Sequence, residues 1–240
     1  MTESPVRPES PAGLAPGLYV VSTPIGNLGD MTRRAVAVLS GVDVVACEDT
    51  RRTGLLFKHF DIAARFVSYH DHNKERRTPE LLALLRKGSR VALVSDAGTP
   101  GISDPGFCLV RAAAAAGIRV TPVPGASAML SALVVSGLPS DRFAFEGFLP
   151  RREGRRRKRL AALAEERRTM IFYEPARRLP RLLADMLELF GDRRVVVCRE
   201  LTKRYEETLR GTLAGLLELL RERELKGEAV LVVEGHEGRD

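Results

Sequence analysis

Cysteine is scarce in this sequence of 240 residues, and its few occurrences lie far apart. The three residues are Cys47, Cys108 and Cys198, and no two of them form a CxxC pair. This spacing argues against a disulfide framework and against a structural zinc site. Each cysteine has apolar neighbours, so we expect buried thiols in a protein of a reducing compartment, the cytoplasm.

Long apolar runs are also missing. No stretch approaches the roughly 20 apolar residues that a membrane-spanning helix requires, so the sequence predicts no membrane segment. Residues 1–16 lack the apolar centre of a signal peptide and contain four prolines and two glutamates. We therefore expect residues 1–16 to form a flexible tail, and we expect a cytoplasmic protein.

Several common functional fingerprints are not found. The sequence has no dinucleotide-binding glycine motif after its first predicted strand, no P-loop, no nucleophile elbow and no HExxH zinc motif. The sequence does have an excess of basic residues: 38 lysines and arginines outnumber 31 aspartates and glutamates and give a formal net charge of +7. That excess suits a polyanionic partner, and it suits a basic soluble protein without such a partner equally well.

Short apolar runs of strand type alternate with helical segments along most of the chain. Residues 90–96 give the clearest buried strand, and residues 105–116 give a helix that Gly117 closes. This alternation predicts the α/β class with a mostly parallel sheet. The pattern breaks at residues 137–150, where two prolines and two glycines occur. We therefore expect an N-terminal α/β domain over 17–138 and a C-terminal α/β domain over 139–240.

Two helix starts are predicted from local chemistry. Thr78 followed by Pro79 is typical of an N-cap and a first helical residue. Residues 153–168 form a highly charged stretch without a breaker after Gly154, which predicts a long solvent-facing helix.

Three turns rich in glycine and proline follow predicted strands. They are STPIGNL at residues 22–28, SDAGTPGISDPG at 95–106 and PVPGASA at 122–128. In parallel α/β sheets, ligands bind outside the carboxyl ends of the strands. Glycine lets the backbone approach a ligand closely, and proline stiffens the turn. One such turn is more often a plain loop, but three together predict a ligand site.

Longer ordered motifs contain these turns. The runs STPIGNLGDMTRRA, CEDTRRTGLL, VSDAGTPGISDPG, PVPGASAMLSAL, GFLPR, FYEPAR and CRELTKRYEE resemble the bacterial 16S rRNA (cytidine-2′-O)-methyltransferases of the tetrapyrrole-methylase superfamily. The resemblance covers residues 18–235. It implies two α/β domains of the tetrapyrrole-methylase type with S-adenosylmethionine in the cleft between them. It also implies a homodimer, and as substrate a cytidine in 16S rRNA of the small ribosomal subunit.

Carried over motif by motif, the resemblance implies which residues contact the cofactor. These residues are Pro24, Asp96, Gly98, Thr99, Ser127, Ala128, Tyr173, Leu201 and Ala229. The match is close in the turns of the first domain and looser in the second domain. One departure is Tyr205, which stands where the family pattern after LTK leads us to expect histidine. No metal is implied.

Two of the motifs contain candidates for the chemistry. Methyl transfer to a ribose hydroxyl is helped by a general base, or by a cation that stabilises the developing alkoxide. Asp49 is a candidate proton acceptor, although a carboxylate there is equally typical of a helix N-terminus. Lys203 is a candidate for stabilising the oxyanion, for acting as a base if desolvated, or for binding an RNA phosphate. Glu48 is interpreted as a plain charge at a strand end.

A basic segment follows the GFLP turn. RREGRRRKR at residues 151–159 contains seven basic residues and one acid. Such a run is often only a solvated face, but its net charge exceeds what solubility requires, and phosphate contacts would make RNA binding strongly salt-dependent. The predicted RNA contacts are Arg51, Arg52, His70, Asn73, Arg151, Arg155, Arg156 and Arg157.

The run HDHN at residues 70–73 invites a metal-site interpretation. His70 and His72 share one face if the segment is a strand. No third ligand with suitable spacing is found, so we favour a loop that lines an RNA cleft, and we predict no metal.

Two other functions remain as alternatives. A tetrapyrrole C-methyltransferase would have nearly the same fold, so the fold does not decide between the two. The basic segment and the CEDTRRTGLL motif favour RNA. A non-catalytic RNA-binding protein is the second alternative, and the intact DAGTPGISDPG turn argues against it.

Overall fold

The computed structural model describes residues 13–223 and 225–236. It divides the chain into two compact units between Ser127 and Ala128. Each unit has a five-stranded sheet of its own. Within the described part of the chain, no helix has the length and apolar character needed to cross a membrane.

The sheet of the first unit is entirely parallel, with the order β3-β2-β4-β1-β5. Its strands are β1 (Gly17–Val21), β2 (Val44–Cys47), β3 (Phe66–Ser68), β4 (Arg90–Leu93) and β5 (Val120–Val123). Four helices connect them: α1 (Arg33–Gly41), α2 (Thr50–His59), α3 (Lys74–Arg86) and α4 (Gly106–Ala115).

Both faces of this parallel sheet are buried. Tyr19 and Val45 point into one apolar cluster, while Leu18 and Val44 point into a second cluster on the opposite face. Because side chains alternate along a strand, covering both faces requires continuous apolar runs such as VVAC in β2. The carboxyl ends of the strands are left free for the three turns.

Helix α3 begins earlier than the sequence predicts. It starts at Lys74, so Pro79 lies inside the helix and Thr78 is not its N-cap. The Thr78 hydroxyl instead donates to the Lys74 carbonyl at 2.6 Å and lies 2.9 Å from the Tyr69 hydroxyl. Proline lacks the N–H that would bond to the fourth preceding carbonyl, and the helix tolerates that loss here.

The sheet of the second unit is mixed, with the order β6-β7-β10-β8-β9. Only β6 and β7 are parallel, and the other neighbours run antiparallel. Its strands are β6 (Phe143–Phe148), β7 (Thr169–Pro175), β8 (Arg194–Arg199), β9 (Glu207–Thr212) and β10 (Glu228–Val233). Its helices are α5 (Ala128–Ser136), α6 (Glu153–Ala161), α7 (Leu179–Phe190) and α8 (Leu213–Arg221).

Helix α5 explains where the two units divide. Its buried residues Ala132 and Leu133 pack against Ile171 of β7 and Val232 of β10. The helix therefore covers one face of the second sheet, and the division falls before it. The boundary predicted from the sequence lies after Leu138, at a local break in the strand and helix pattern. The packing of α5 on the second sheet depends on residues far along the chain, so the local pattern does not reveal it.

Strand β6 was not predicted. The stretch 137–150 contains glycines and prolines, yet Phe143–Phe148 pairs with β7. The register shifts between Phe145 and Gly147, and Gly147 has a φ of 62°. A bulge of this kind uses a glycine in the left-handed region, so here the glycine belongs to the strand.

The predicted helix over 153–168 is shorter in the structure. Helix α6 ends at Ala161, and turns follow it. In those turns the Glu166 carboxylate accepts hydrogen bonds from the Arg168 amide and guanidinium, both at 2.9 Å. This local pairing competes with continued helix.

The predicted tail over 1–16 falls largely outside the described residues. Within them, Leu14 packs against the apolar cluster of Tyr19 and Val45. The Tyr19 hydroxyl donates to the Ala15 carbonyl at 2.6 Å. Residues 13–16 are therefore held against the first unit.

Candidate active site

The first two glycine- and proline-rich turns are joined through their backbones. The Thr23 amide donates to the Gly98 carbonyl at 2.9 Å, and the Gly98 amide donates to the Thr23 carbonyl at 3.0 Å. This two-way pairing lies at the carboxyl ends of β1 and β4. The turns that the sequence analysis expected to converge are thus in direct contact.

Hydroxyl groups extend these links to the third turn. The Ser22 and Thr99 hydroxyls lie 2.9 Å apart, and the Thr99 hydroxyl donates to the Ala126 carbonyl at 3.2 Å. The Ser95 hydroxyl lies within 3.2 Å of the Gly98 carbonyl. Apart from the backbone these are small neutral side chains, so the three turns are joined to one another by neutral hydrogen bonds.

Glycine is required at two of the contact points. Gly98 has a φ of +80°, and a Cβ atom there would lie 3.3 Å from the Ile25 side chain. A Cβ atom at Gly125 would lie 2.9 Å from the Ser22 Cβ. Real Cβ atoms do not approach that closely without displacing a neighbour, so both glycines are needed for the packing of the turns.

The long second turn has an internal anchor. Asp104 Oδ1 accepts hydrogen bonds from the amides of Gly101 and Gly106, each at 2.7 Å. Burial raises the pKa of this carboxyl, and the two amide hydrogen bonds oppose that rise. Asp104 therefore fixes the turn just before Pro105, which is the N-cap of α4.

A cavity of about 310 Å³ opens beside the first two turns. Its apolar lining includes Pro24, Ile25, Leu28, Leu55, Leu56 and Val94, and its polar lining includes Thr23, Arg52, Ser95 and Asp96. This volume lies at the lower end of the range for small-ligand pockets, which are mostly apolar with a few placed polar groups. The predicted contacts Pro24 and Asp96 both line it.

Asp96 is fixed by the start of α2. Its Oδ1 accepts from the Asp49 amide and its Oδ2 accepts from the Arg52 guanidinium, both at 3.1 Å. Arg52 is exposed and was predicted to contact RNA. It is paired here with Asp96, which was predicted to contact the cofactor.

Asp49 has a structural use. It is the N-cap of α2, and its carboxylate accepts hydrogen bonds from the Arg51 amide at 2.8 Å and from the Arg51 guanidinium. The hydrogen bond from the Arg51 side chain, followed by that from the Arg51 amide, lowers the pKa of Asp49 to about 2. A carboxylate this acidic is a weak proton acceptor at neutral pH, which argues against the role predicted for it.

The neighbouring Glu48 has the opposite electrostatics. Burial, followed by the charges of Asp96 and Asp104, raises its pKa. Its side chain is still largely exposed at the end of β2. Adjacent carboxyls whose pKa values are pushed apart are a signal of acid–base roles, and sequence reasoning assigned Glu48 none.

The HDHN segment forms a compact turn before α3. Asn73 Oδ1 accepts from the His70 amide at 2.9 Å, and Asn73 Nδ2 donates to the Ser68 carbonyl at 3.1 Å. Both hydrogen bonds serve the local fold, so the Asn73 side chain is largely committed there. No group of three or more potential metal ligands occurs among residues 13–223 and 225–236.

The remaining predicted cofactor contacts are Ser127 and Ala128, where the two units divide, and Tyr173, Leu201 and Ala229 in the second unit. Ser127 ends the first unit and Ala128 begins α5. Tyr173 of β7 packs against Phe145 at 5.0 Å between ring centroids, and Leu201 packs against the same cluster. Ala229 of β10 points into the cluster on the opposite face. Tyr173 and Leu201 thus share a face that the Ala229 side chain does not.

The basic segment divides into buried and exposed arginines. Arg156 is 2% exposed, and its Nε lies 2.6 Å from Asp185 Oδ2. Arg157 lies 3.0 Å from Asp185 Oδ1 and also pairs with Glu188. Arg151 and Arg155 are exposed. The expectation that Arg156 contacts RNA is therefore corrected, because its charge is neutralised inside the second unit.

Lys203 lies in the turn between β8 and β9. Its Nζ is 2.8 Å from Glu200 Oε1. Tyr205, the departure from the expected histidine, is 67% exposed, with the Arg204 guanidinium over its ring. All of the residues in this turn come from the motif CRELTKRYEE.

Comparisons with known proteins extend these observations. Residues 17–217 match the family described as Tetrapyrrole (Corrin/Porphyrin) Methylases. The "Ribosomal RNA small subunit methyltransferase I" of Escherichia coli is 53% identical over 227 residues, which covers 93% of this chain and 79% of that protein. The protein of the same name from Halalkalibacterium halodurans is 52% identical over 219 residues, covering 91% and 76%.

A solved structure shares the fold at lower identity. The uroporphyrin-III C-methyl transferase from Thermus thermophilus, complexed with S-adenyl homocysteine, matches with a TM-score of 0.61 and 20% sequence identity. The match covers 91% of this chain and 97% of that one.

Proposed function

This chain belongs to the family of tetrapyrrole (corrin/porphyrin) methylases, and from that premise we propose that it methylates the ribose 2′-hydroxyl of a cytidine in 16S rRNA. The family resemblance and the two α/β domains of this type, both predicted from the sequence, are confirmed. The observation that carries the substrate class is identity above 50% with small-subunit rRNA methyltransferases over nine-tenths of the chain.

The methyl donor of the proposal is S-adenosylmethionine. When bound, it supplies an electrophilic methyl group on a sulfonium sulfur. The linked turns and the apolar cavity beside them fit a ligand with a flat base and a polar tail, because backbone groups and the Asp96 carboxylate lie next to an apolar wall. The residues that would hold it are Pro24, Asp96, Gly98, Thr99, Ser127 and Ala128, with Tyr173, Leu201 and the backbone near Ala229 from the second unit.

The protein's own contribution to the reaction is to position the ribose and stabilise charge. Holding the ribose oxygen about 3 to 3.5 Å from the methyl carbon removes much of the entropic part of the barrier. Lys203 stabilises the oxygen as it loses its proton. Of the adjacent carboxylates, Glu48 fits proton acceptance better than Asp49, because its pKa is raised and its side chain is exposed.

RNA is bound through exposed arginines. Arg151 and Arg155 of the basic segment are exposed, as are Arg51 and Arg52 at the start of α2. His70 and Asn73 lie in the loop before α3 and complete the proposed contacts. Because this binding replaces counterions on phosphates, it weakens steeply with salt.

We extend the proposal to a homodimer in the cytoplasm. Helix α5 presents Leu130, Val134 and Val135, each more than 40% exposed. Contiguous exposed apolar side chains are typical of protein interfaces, so this helix is the surface we assign to the second copy.

The alternative substrate is a tetrapyrrole carbon. The shared fold with the uroporphyrin-III enzyme carries little weight for it at 20% identity, because the same fold serves different acceptors.

The test is transfer of labelled methyl from S-adenosylmethionine to small ribosomal subunits from cells that lack this gene. We expect label in the 16S rRNA and none in a uroporphyrinogen offered in parallel. Label in the tetrapyrrole alone would replace the proposed function with the alternative.

A further inference from the structure

The turn that connects β8 to β9 contains two residues in an unusual backbone conformation. Glu200 has a φ of 50° and Thr202 has a φ of 67°. Residues other than glycine seldom adopt positive φ, and a β-branched threonine least of all. Such outliers persist only where the surroundings hold them, and they cluster at functional positions.

The surroundings do hold this turn. The Glu200 amide donates to the Glu228 carbonyl at 3.0 Å, and the Glu228 amide donates back to Glu200 Oε1 at 3.1 Å. The Lys203 amide donates to the Glu200 carbonyl at 3.0 Å. The Glu206 carboxylate accepts a hydrogen bond from the Thr202 amide. Both residues with positive φ are therefore fixed by their own hydrogen bonds.

Gly227 makes room for the Glu200 side chain. Its φ is +90°, and a Cβ atom there would overlap the Glu200 carboxylate. A side chain at position 227 would therefore displace that carboxylate, and the chain has glycine there. A hairpin connection needs only two to five residues, with glycine at its left-handed positions. Residues 200–206 form a longer turn without any glycine, so joining the strands does not account for it.

The product of this arrangement is a fixed ion pair. Lys203 Nζ lies 2.8 Å from Glu200 Oε1, and the lysine side chain is 33% exposed against 18% for the glutamate. Burial works to raise the pKa of Glu200, but the hydrogen bonds from Lys203 and the Glu228 amide outweigh it and lower the net pKa. The anchored group is the carboxylate, and the ammonium, on a side chain that is one-third exposed, has further donors besides the one that Glu200 accepts.

We propose that Glu200 is a positioning residue, which holds the Lys203 ammonium on this strained turn so that its other donors meet an anionic oxygen of the RNA acceptor. The proposal rests on the proposed function. The anionic oxygen has two possible sources, a backbone phosphate of the RNA and the ribose oxygen as it loses its proton.

The test is a double-mutant cycle in the full-length protein. Glu200→Gln, Lys203→Ala and the double variant are compared with wild type for kcat, KM for rRNA, affinity for S-adenosylmethionine and thermal midpoint. Glu218→Gln is the matched control, because it breaks an exposed ion pair with Arg221 elsewhere in the second unit.

We expect Lys203→Ala to lower kcat/KM by about a hundredfold and Glu200→Gln by about tenfold, with cofactor affinity unchanged. In the Lys203→Ala background, Glu200→Gln has little further effect, because a positioning residue acts through its partner. Glu200→Asp recovers part of the loss. Additive losses, or a Glu200→Gln variant as active as Glu218→Gln, would overturn the proposal.

The same variants, with rRNA binding also measured over a salt series, distinguish the two oxygen sources. Loss of kcat with unchanged RNA affinity identifies the ribose oxygen, and weaker RNA binding with a flatter salt dependence identifies a phosphate. Wild-type protein that transfers no methyl to rRNA overturns the proposed function and this inference with it. Additive losses in an active enzyme overturn the inference alone.

Discussion

The two units hold their polar residues in different ways. In the first unit the turns at the carboxyl ends of β1, β4 and β5 are linked by backbone amides and by the hydroxyls of Ser22 and Thr99. In the second unit, ion pairs fix the polar side chains: Arg156 pairs with Asp185, and Lys203 pairs with Glu200.

The difference has consequences for sensitivity to pH and salt. The neutral hydrogen bonds that join the three turns contain no group that titrates between pH 5 and pH 9, so these links should persist over that range. Ion pairs depend on both partners, and losing one partner leaves a buried charge uncompensated. The buried pair of Arg156 and Asp185 in the second unit should therefore respond more strongly to removal of one charge than the more exposed pair of Arg52 and Asp96 in the first.

The largest expected effect is on Arg156. We expect Arg156→Ala to lower the free energy of unfolding by about 3 to 5 kcal/mol, because it leaves Asp185 buried with one partner fewer. Denaturant unfolding followed by circular dichroism measures it. Arg155→Ala, which removes an exposed arginine one residue earlier, should leave stability unchanged. Equal stability of both variants would contradict the assignment of Arg156 as buried and Arg155 as exposed.

The next effect tests the linked turns. We expect Gly98→Ala to destabilise the protein by about 1 to 2 kcal/mol, because alanine is strained at a φ of +80°. Gly88→Ala is the matched control, with a φ of +86° and no atom near its Cβ position. Calorimetric titration with S-adenosylmethionine should show weaker binding for Gly98→Ala only. If Gly88→Ala loses the same affinity, the turn is not the cofactor site.

Exposed arginines should affect RNA binding without affecting stability. Replacing Arg151 and Arg155 by alanine removes up to two phosphate contacts, and each contact contributes about 0.9 to the slope of log affinity against log salt. Filter binding of small subunits over a salt series measures that slope. An unchanged slope would mean that the basic segment is only a solvated face.

Much of the fold was predictable from the sequence because the signals are local. The strand predicted over 90–96 and the helix predicted over 105–116 match β4 (Arg90–Leu93) and α4 (Gly106–Ala115) to within three residues at each end. The three turns at strand ends were also found, since glycine and proline mark them directly. Strand β6 was missed because Glu146 and Gly147 interrupt its apolar pattern, and the pairing with β7 that stabilises it is not local.

The site was less predictable for the same reason. Nothing in the run RREGRRRKR distinguishes Arg156 from Arg155, because the difference is Asp185, 29 residues further along the chain. Asp49 and Glu48 are likewise adjacent in sequence. Burial, followed by the charges of Asp96 and Asp104, raises the pKa of Glu48, while hydrogen bonds from Arg51 lower the pKa of Asp49.

The smallest expected effect is on Asp49. We expect Asp49→Asn to keep turnover within about twofold of wild type, since asparagine caps a helix as well as aspartate does. Its pKa is lowered to about 2 from 3.8, so the ionised carboxylate stabilises the fold above about pH 4, and that contribution is lost as the pH falls through 2. The thermal midpoints of wild type and Asp49→Asn should therefore converge at low pH. An inactive Asp49→Asn variant that still binds cofactor would make Asp49 the base.

The central claim is that the acceptor is a ribose 2′-oxygen, and alkaline hydrolysis of labelled product tests it most directly. A 2′-O-methyl group blocks attack of that oxygen on the adjacent phosphodiester, so the linkage survives alkali. After methyl transfer to small subunits, we predict that the label is recovered in an alkali-resistant dinucleotide that begins with cytidine. Label recovered in mononucleotides would place the methyl group on a base and contradict the account.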